Sequence, residues 1–305
     1  MSSKDIADPN PSSLYHYCNL NGFMGIIGSH SFHLHQLSMM NDTMEYNWLK
    51  KVMKEESVFS GVGRARFDRV LFRYLMEKQH DDPYCICFSE EPDDLPQWRA
   101  YGDDGRGFAI GFRRDAFLKK NTNKGIFLDK VEYRRERQNI IAADILKRFY
   151  EYMEANCEPF KEEVGESSFQ LYASHEDHLT QKLTNFFQGE DVQKQLILCK
   201  NDAFQSEREW RFVATSFHEI YSNDEHGKAA TPIYNRTFTP RGAAINHHLV
   251  LDFDRCLENI YIDEIWLGPN NPAIENSRAL RLFLNKSRFV NVSIRTSRAT
   301  YRSSR

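Results

Sequence analysis

The chain has 305 residues, 41% of them apolar and 27% charged, which is the balance of a globular protein. Aromatic residues reach 13%, with 22 Phe and 14 Tyr, so a chain of this length can bury a sizeable core without disulfides or metals. No stretch approaches the roughly 20 apolar residues of a spanning helix, and the opening MSSKDIADPNPSS has neither the basic region nor the apolar run of a secretory signal. A cytoplasmic location is therefore expected.

The net charge of −3 is unevenly divided. No acidic residue follows Glu275, and the eight cations Arg278, Arg281, Lys286, Arg288, Arg295, Arg298, Arg302 and Arg305 leave −11 for the rest. The acidic excess gathers at Asp81-Asp82, Glu90-Glu91, Asp93-Asp94 and Asp103-Asp104. The six cysteines are scattered, with no C-x-x-C pair, which fits reduced thiols rather than a zinc site or a disulfide framework.

In chain order, residues 1–12 read as a polar tail. Leu14–Tyr17 and the alternating Ser31–Gln36 read as strands, with a short helix over Asn21–Ser29 between them. Asn41-Asp42 can cap a helix starting near Met44, with Glu45 as its early carboxylate. Phe67–Lys78 has helical spacing. Tyr84–Ser89 (YCICFS) suits a buried strand, Leu95–Tyr101 a helical turn, and Gly107–Phe112 and Phe127–Tyr133 two more strands. Residues 138–201 carry helical periodicity with a break at Val164-Gly165. Strands return at Glu209–Thr215, His248–Phe253, Glu264–Leu267 and Val290–Arg295, with a loop over 216–247 and an amphipathic helix over Ala273–Leu284. This order predicts an α+β fold: one domain over 13–305 with a helical insert at about 138–201. Neither G-x-G-x-x-G nor a P-loop sequence is present.

The sharpest local feature is Glu207-Arg-Glu209-Trp-Arg211. In an extended chain Glu207, Glu209 and Arg211 share one face while Trp210 and Phe212 take the other. Two carboxylates and a guanidinium presented together can hold a ribose diol or stabilise developing positive charge; they can equally form a surface ion pair. His16 shares a strand face with Leu14 and Cys18 and reads equally as a core histidine. Trp98 and Tyr101, three apart on a helical turn, can pack a core or stack an aromatic ring. Neither His33/His35, Cys85/Cys87 nor His247-His248 has companions at metal-ligand spacing, and no metal is expected.

Together, His16-Tyr17, Asn41-Asp42-x-x-Glu45, Cys87-Phe-Ser89, Trp98-x-x-Tyr101, Gly107-Phe108, Lys200, Glu207–Arg211 and Glu264-Ile-Trp-Leu-Gly268-Pro form an ordered set. It resembles a bacterial domain-of-unknown-function family, the one numbered 2971, over roughly residues 14–302. That family in turn resembles the ADP-ribosyltransferases. The second resemblance implies a mixed, mostly antiparallel split sheet whose cleft holds NAD as substrate. It implies Glu209, Glu207, His16 and Tyr101 as catalytic residues. Glu209 would stabilise the oxocarbenium ion, Glu207 would act as general base, His16 would hold the adenosine ribose and Tyr101 would stack the nicotinamide. Tyr17, Ser89, Trp98, Arg211, Asn41, Asp42 and Glu45 would complete the NAD site, with Arg211 on a pyrophosphate oxygen.

The expected activity is cleavage of NAD with transfer of ADP-ribose to a protein or nucleic acid, in a toxin or phage-defence setting. The alternatives are an NAD glycohydrolase and a non-catalytic nucleotide- or protein-binding module. The basic C-terminal stretch is a candidate nucleic-acid surface.

Overall fold

A computed structural model describes residues 10–40, 42, 44–59, 68, 71–75, 83–118, 126–156, 176–215, 221–222, 231–232, 234–241, 244–257, 262–275 and 277–301. It is an α+β structure with a large open sheet. The strands are β1 (Ser13–Cys18), β2 (Ser31–Gln36), β3 (Tyr84–Ser89), β4 (Phe108–Arg113), β5 (Ile126–Lys130), β6 (Glu209–Ala214), β7 (Tyr221–Ser222), β8 (Thr231–Pro232), β9 (Tyr234–Arg241), β10 (Ala244–Asp252), β11 (Ile262–Leu267) and β12 (Ser293–Thr296). Ten of them form one sheet in the order β12-β11-β4-β1-β3-β2-β10-β9, with β6 branching from β3 and carrying β5; β7 and β8 pair separately. β11 and β12 are parallel, while β1 with β3 and β4, β3 with β6, β5 with β6, β4 with β11, and β10 with β2 and β9 are antiparallel.

The chain divides into two compact units. The first comprises Met1–His35, Tyr84–Lys130 and Ser206–Arg305 and holds the sheet. Its core is the apolar face made by Leu14, Phe32, Phe88, Phe112, Phe212 and Leu251, backed by Phe23 and Ile27 of helix Leu20–Ser29 and Leu284 of helix Arg278–Lys286.

The second unit comprises Gln36–Pro83 and Val131–Gln205. It contains helices Trp48–Phe59, Arg135–Asn156, Glu176–Phe187 and Glu190–Leu198. The helical part is thus larger than the insert expected at 138–201, because an earlier segment joins it. Gln138, fully buried, accepts a hydrogen bond from Trp48 Nε1 at 2.9 Å and donates to the carbonyls of Glu132 and Lys200 at 2.7 and 2.8 Å. Tyr74 donates to Thr184 Oγ1 at 2.9 Å. Sequence periodicity reports each helix but not which distant helix it meets.

Several local expectations change. The helix expected near Met44 begins at Trp48, because Tyr46 adopts a left-handed φ of 64° that ends the preceding turn. The loop expected over 216–247 contains β7, β8, β9 and the start of β10. The side chains of Asn235, Arg236, Thr237 and Phe238 in β9 are all exposed, so this part of the strand has no buried apolar side chain to betray it. The last strand starts at Ser293 rather than Val290, with Phe289 and Val292 buried ahead of it. Residues 1–9 and the break at Val164-Gly165 lie outside the described residues. Among the described residues no helix is long and apolar enough to cross a membrane.

Candidate functional site

The candidate site lies on one face of the sheet unit, at the ends of β3 and β6. Ser89 stands opposite both Tyr15 of β1 and Glu209 of β6, and Cys87 stands opposite Arg211. Residues paired across strands share a face, so Tyr15, Tyr17, Cys87, Ser89, Glu209 and Arg211 point to one side, and Leu14, His16, Phe88, Trp210 and Phe212 to the other.

Glu209 and Arg211 are a buried ion pair rather than a surface one. Arg211 Nε and Nη2 donate to Glu209 Oε1 and Oε2 at 2.9 and 3.1 Å, with side-chain exposures of 0% and 6%. Such a fork satisfies both carboxylate oxygens while excluding water.

Glu207 is not on the strand. It ends the 3-10 turn Asp202–Glu207, and Arg208 takes a left-handed φ of 45° before β6 begins at Glu209. The expected alternation of Glu207 with Glu209 is therefore broken. Tertiary contacts return Glu207 to the same neighbourhood: Ser89 Oγ donates to its carbonyl at 2.9 Å and Tyr101 Oη donates to its Oε1 at 2.9 Å. Glu207 and Tyr101 are both partly exposed. The structure thus brings together Ser89, Tyr101, Glu207 and Glu209.

The acidic loop after β3 is tied down residue by residue. Trp210 Nε1 and Lys130 Nζ donate to Glu90 Oε1 at 2.9 and 2.6 Å, and Glu91 pairs with Arg208. Asp93 accepts from Trp98 Nε1 at 2.8 Å and Ser297 Oγ at 2.5 Å. Asp94 caps helix Leu95–Ala100 through the amide of Gln97. Tyr17 Oη donates to the Glu91 carbonyl at 2.7 Å and accepts from the Asp94 amide at 3.0 Å. Burial pushes the Tyr17 phenol well above its ordinary range. Tyr17 and Trp98, ring centroids 4.7 Å apart with Trp98 fully buried, therefore anchor this loop and form no open stacking platform. Tyr101 is the C-terminal cap of the short helix rather than a member of its face.

His16 is not brought to Glu209. Its Nδ1 lies 2.8 Å from the Cys87 carbonyl oxygen and its ring meets Phe88 edge-on at 5.9 Å, on the opposite face. Burial pushes the imidazole below its ordinary value, against the carbonyl contact, so its neutral form is favoured. Arg211, fully buried and forked on Glu209, is not presented to a pyrophosphate.

Asp42 and Glu45 belong to the helical unit. Asp42 Oδ1 accepts from the Met44 amide at 2.8 Å. Glu45 is ion-paired with Lys200 at 3.1 Å, both nearly fully buried, and Lys200 Nζ lies 4.7 Å from the Phe204 ring centroid. Asn41 lies outside the described residues.

Sequence reasoning passed over Tyr15 and gave Glu264 no role. Tyr15 Oη and Trp266 Nε1 donate to Glu264 Oε1 at 2.8 and 2.9 Å, and Arg295 pairs with Glu264. Burial alone would raise this carboxyl, but the three donors outweigh it and hold it below its ordinary range. The available signal was the odd-residue alternation Tyr15-Tyr17. Among the described residues no group of three His, Cys, Asp or Glu is arranged to hold a metal. The described cysteines Cys18, Cys85, Cys87, Cys199 and Cys256 are free thiols.

Residues 97–212 match the model of a family described as "Protein of unknown function (DUF2971)". The matched stretch contains Trp98, Tyr101, Gly107-Phe108, Lys200 and Glu207–Arg211, the middle part of the ordered set, and includes neither His16, Asp42 and Ser89 before it nor residues 264–269 after it. No curated protein and no solved structure matches the chain.

Proposed function

We propose that the chain is an NAD-cleaving enzyme of the ADP-ribosyltransferase kind, with Glu207 as its working carboxylate. The observation that carries this reading is the 2.9 Å bond from Tyr101 Oη to Glu207 Oε1 across 106 residues of sequence, in a cluster that includes Ser89 and Glu209. A partly exposed carboxylate oriented by a phenol is a preorganised negative charge. In the reaction the bond between ribose C1′ and the nicotinamide nitrogen breaks, and its electron pair leaves with nicotinamide. The positive charge left on the ribose faces Glu207. The acceptor's nucleophile then bonds to C1′ and its proton passes to the same carboxylate.

This assignment moves the charge-stabilising role from Glu209 to Glu207, because Glu209 is neutralised by Arg211 and buried with it. Glu209 then acts as a positioning residue: it fixes the start of β6, with one residue between it and Glu207. The hydroxyl of Tyr101 orients the carboxylate, while its ring packs against the cluster of Tyr15, Tyr17, Trp98 and Ala109. The split-sheet NAD cleft belongs to this proposal and rests on the resemblance. The acceptor is a protein, a nucleic acid or, for a glycohydrolase, water.

A second reading, a non-catalytic nucleotide-binding module, is favoured by the neutralised Glu209 and by the placement of His16 on the other face. Incubating the purified full chain with NAD and measuring free nicotinamide separates the two. The enzyme reading expects release that falls at least ~100-fold in Glu207→Gln, the usual scale for loss of one such electrostatic group. NAD binding without nicotinamide release establishes the binding module instead. Transfer of label from NAD to protein or nucleic acid separates transferase from hydrolase.

A further inference from the structure

Directly after Tyr101 the chain makes an unfavourable turn. Asp103, Asp104 and Gly105 follow one another with φ of 50°, 52° and 85°, and a left-handed backbone is strained for residues other than glycine, least so for Asn and Asp. The turn is pinned to Tyr101 through its neighbour: the Gly102 carbonyl accepts from the Gly105 and Gly107 amides at 3.0 and 2.8 Å. Residues 297–301, which form no regular structure and bury no side chain fully, run along the same element. Ser297 Oγ and the Arg298 amide donate to Asp93 at 2.5 and 2.8 Å, just ahead of helix Leu95–Ala100. Beyond that helix Tyr301 Oη donates to Asp104 Oδ1 at 2.7 Å, and the Arg99 guanidinium lies 5.7 Å from the Tyr301 ring centroid. This strap therefore holds both ends of the element that presents Tyr101 to Glu207.

We propose that the strap is a latch on the candidate site, with Tyr301 as a positioning residue that sets Tyr101 against Glu207. Strained backbone persists only where its surroundings over-determine it. Around this turn the Asn270 amide donates to the Gly105 carbonyl at 2.8 Å, and Arg106 forks onto Asp103 at 2.9 and 3.2 Å. Tyr301 adds a hold on the Asp104 side chain. A strap with little buried surface opens more readily than the strands beneath it, so it can be released while the sheet stays folded. With Tyr301 withdrawn, Asp104 can leave the left-handed region and the bonds to the Gly102 carbonyl loosen. The Tyr101 hydroxyl then loses its 2.9 Å bond to Glu207 Oε1, and the carboxylate is no longer preorganised. A merely structural tail would stabilise the sheet unit as a whole and leave that bond unaltered. The latch regulates the site of the proposed NAD chemistry and rests on that reading for its effect on activity; the contacts that form it do not.

The test places fluorotyrosine at position 101 of the full chain and reads its fluorine resonance alongside nicotinamide release from NAD. Tyr301→Phe removes one hydroxyl from a partly exposed side chain, and the melting temperature confirms that the variant folds. The expected result is a shifted Tyr101 resonance and release lowered about threefold or more, within the range for a misplaced catalytic group. Asp104→Ala, which lacks the acceptor and is strained in the left-handed region, should do at least as much. Asp104→Asn, which keeps an oxygen acceptor and tolerates that region, should keep both readouts near wild type. A Tyr101 resonance unmoved by Tyr301→Phe overturns the latch, whatever happens to release. So does a moved resonance with unchanged release, or Asp104→Asn as impaired as Asp104→Ala. If the wild-type chain releases no nicotinamide, the NAD reading fails by itself and the resonance alone decides the latch.

Discussion

At Glu209 and Arg211 one buried charge answers another, and this changes what a mutation there can mean. Removing either partner leaves an uncompensated charge without water, a cost of about 3–5 kcal/mol, whereas replacing both with apolar groups of similar volume is often neutral. Glu209→Gln should therefore lower unfolding free energy by about 3 kcal/mol or more in denaturant melts, and Glu209→Leu/Arg211→Met should recover most of it. Lost activity in Glu209→Gln alone would not distinguish chemistry from a disturbed β6. Tyr101→Phe is the cleaner probe. It removes only the hydroxyl that orients Glu207, so nicotinamide release should drop about tenfold or more, with stability changed by about 1 kcal/mol. Unchanged release in that variant would remove Tyr101 from the site.

His16 belongs to the same scale. Burial lowers the folded-state value for His16 and His33, and burial together with His33 and His247 lowers that of His248. Below an ordinary histidine value near 6.5 the unfolded chain then binds more protons than the folded one. The stability they contribute is present above that pH and is lost as pH falls through it. Melting temperature should decline between pH 7.5 and 5.5, and His16→Gln should show a smaller decline. A variant that tracks the wild-type decline would mean that His16 takes up its proton equally in both states.

At the scale of elements, the short helix that ends in Tyr101 is fixed from both sides. Asn271 Nδ2 donates to the carbonyls of Arg106 and Gly107 at 2.8 and 2.7 Å, and its Oδ1 accepts from the Ala273 amide at 2.9 Å. Gly107 passes so near its neighbours that a Cβ there would stand 2.2 Å from the Cys18 carbonyl oxygen and 2.8 Å from that of Gly102. Backbone cannot yield as a flexible side chain can. Gly107→Ala should cost about 3 kcal/mol or more, at the upper end of overpacking effects, and should disturb the turn that carries Tyr101. Thermal melts and nicotinamide release should therefore fall together.

At the scale of the whole chain, the basic C-terminal stretch is woven into the sheet unit. Arg295 pairs with Glu264, Ser297 and the Arg298 amide bond Asp93, and Tyr301 Oη donates to Asp104 at 2.7 Å. These contacts also consume part of the acidic clusters seen in the sequence. Truncation after Ile294 removes all of them together with the last two residues of β12. It should lower stability by roughly 2–4 kcal/mol, at about 1 kcal/mol per hydrogen bond, as read by denaturant melts. A truncated chain of wild-type stability would make the stretch an appendage. A test of nucleic-acid binding is better served by Arg298→Glu, whose side chain is exposed, than by deletion.

The sequence by itself determined several local elements: the alternation of β2 and the amphipathic spacing of the helix at 278–286 follow from periodicity, and the apolar run of β3 from a strand buried on both faces. It also offered Ser89, Tyr101, Glu207 and Glu209 among its candidate residues. Only tertiary structure decided their arrangement. The left-handed Arg208 takes Glu207 off the strand, and Ser89 and Tyr101, both more than 100 residues away, bring it back. Strand register, set by non-local hydrogen bonds, puts His16 on the opposite face from Glu209, and a one-residue difference along a strand is enough to do so. The strand β9, exposed over residues 235–238, and the second segment of the helical unit were illegible for the same reason. Their partners are chosen by contacts between distant segments, and neither an unburied strand nor a single helix records its partner in its own spacing.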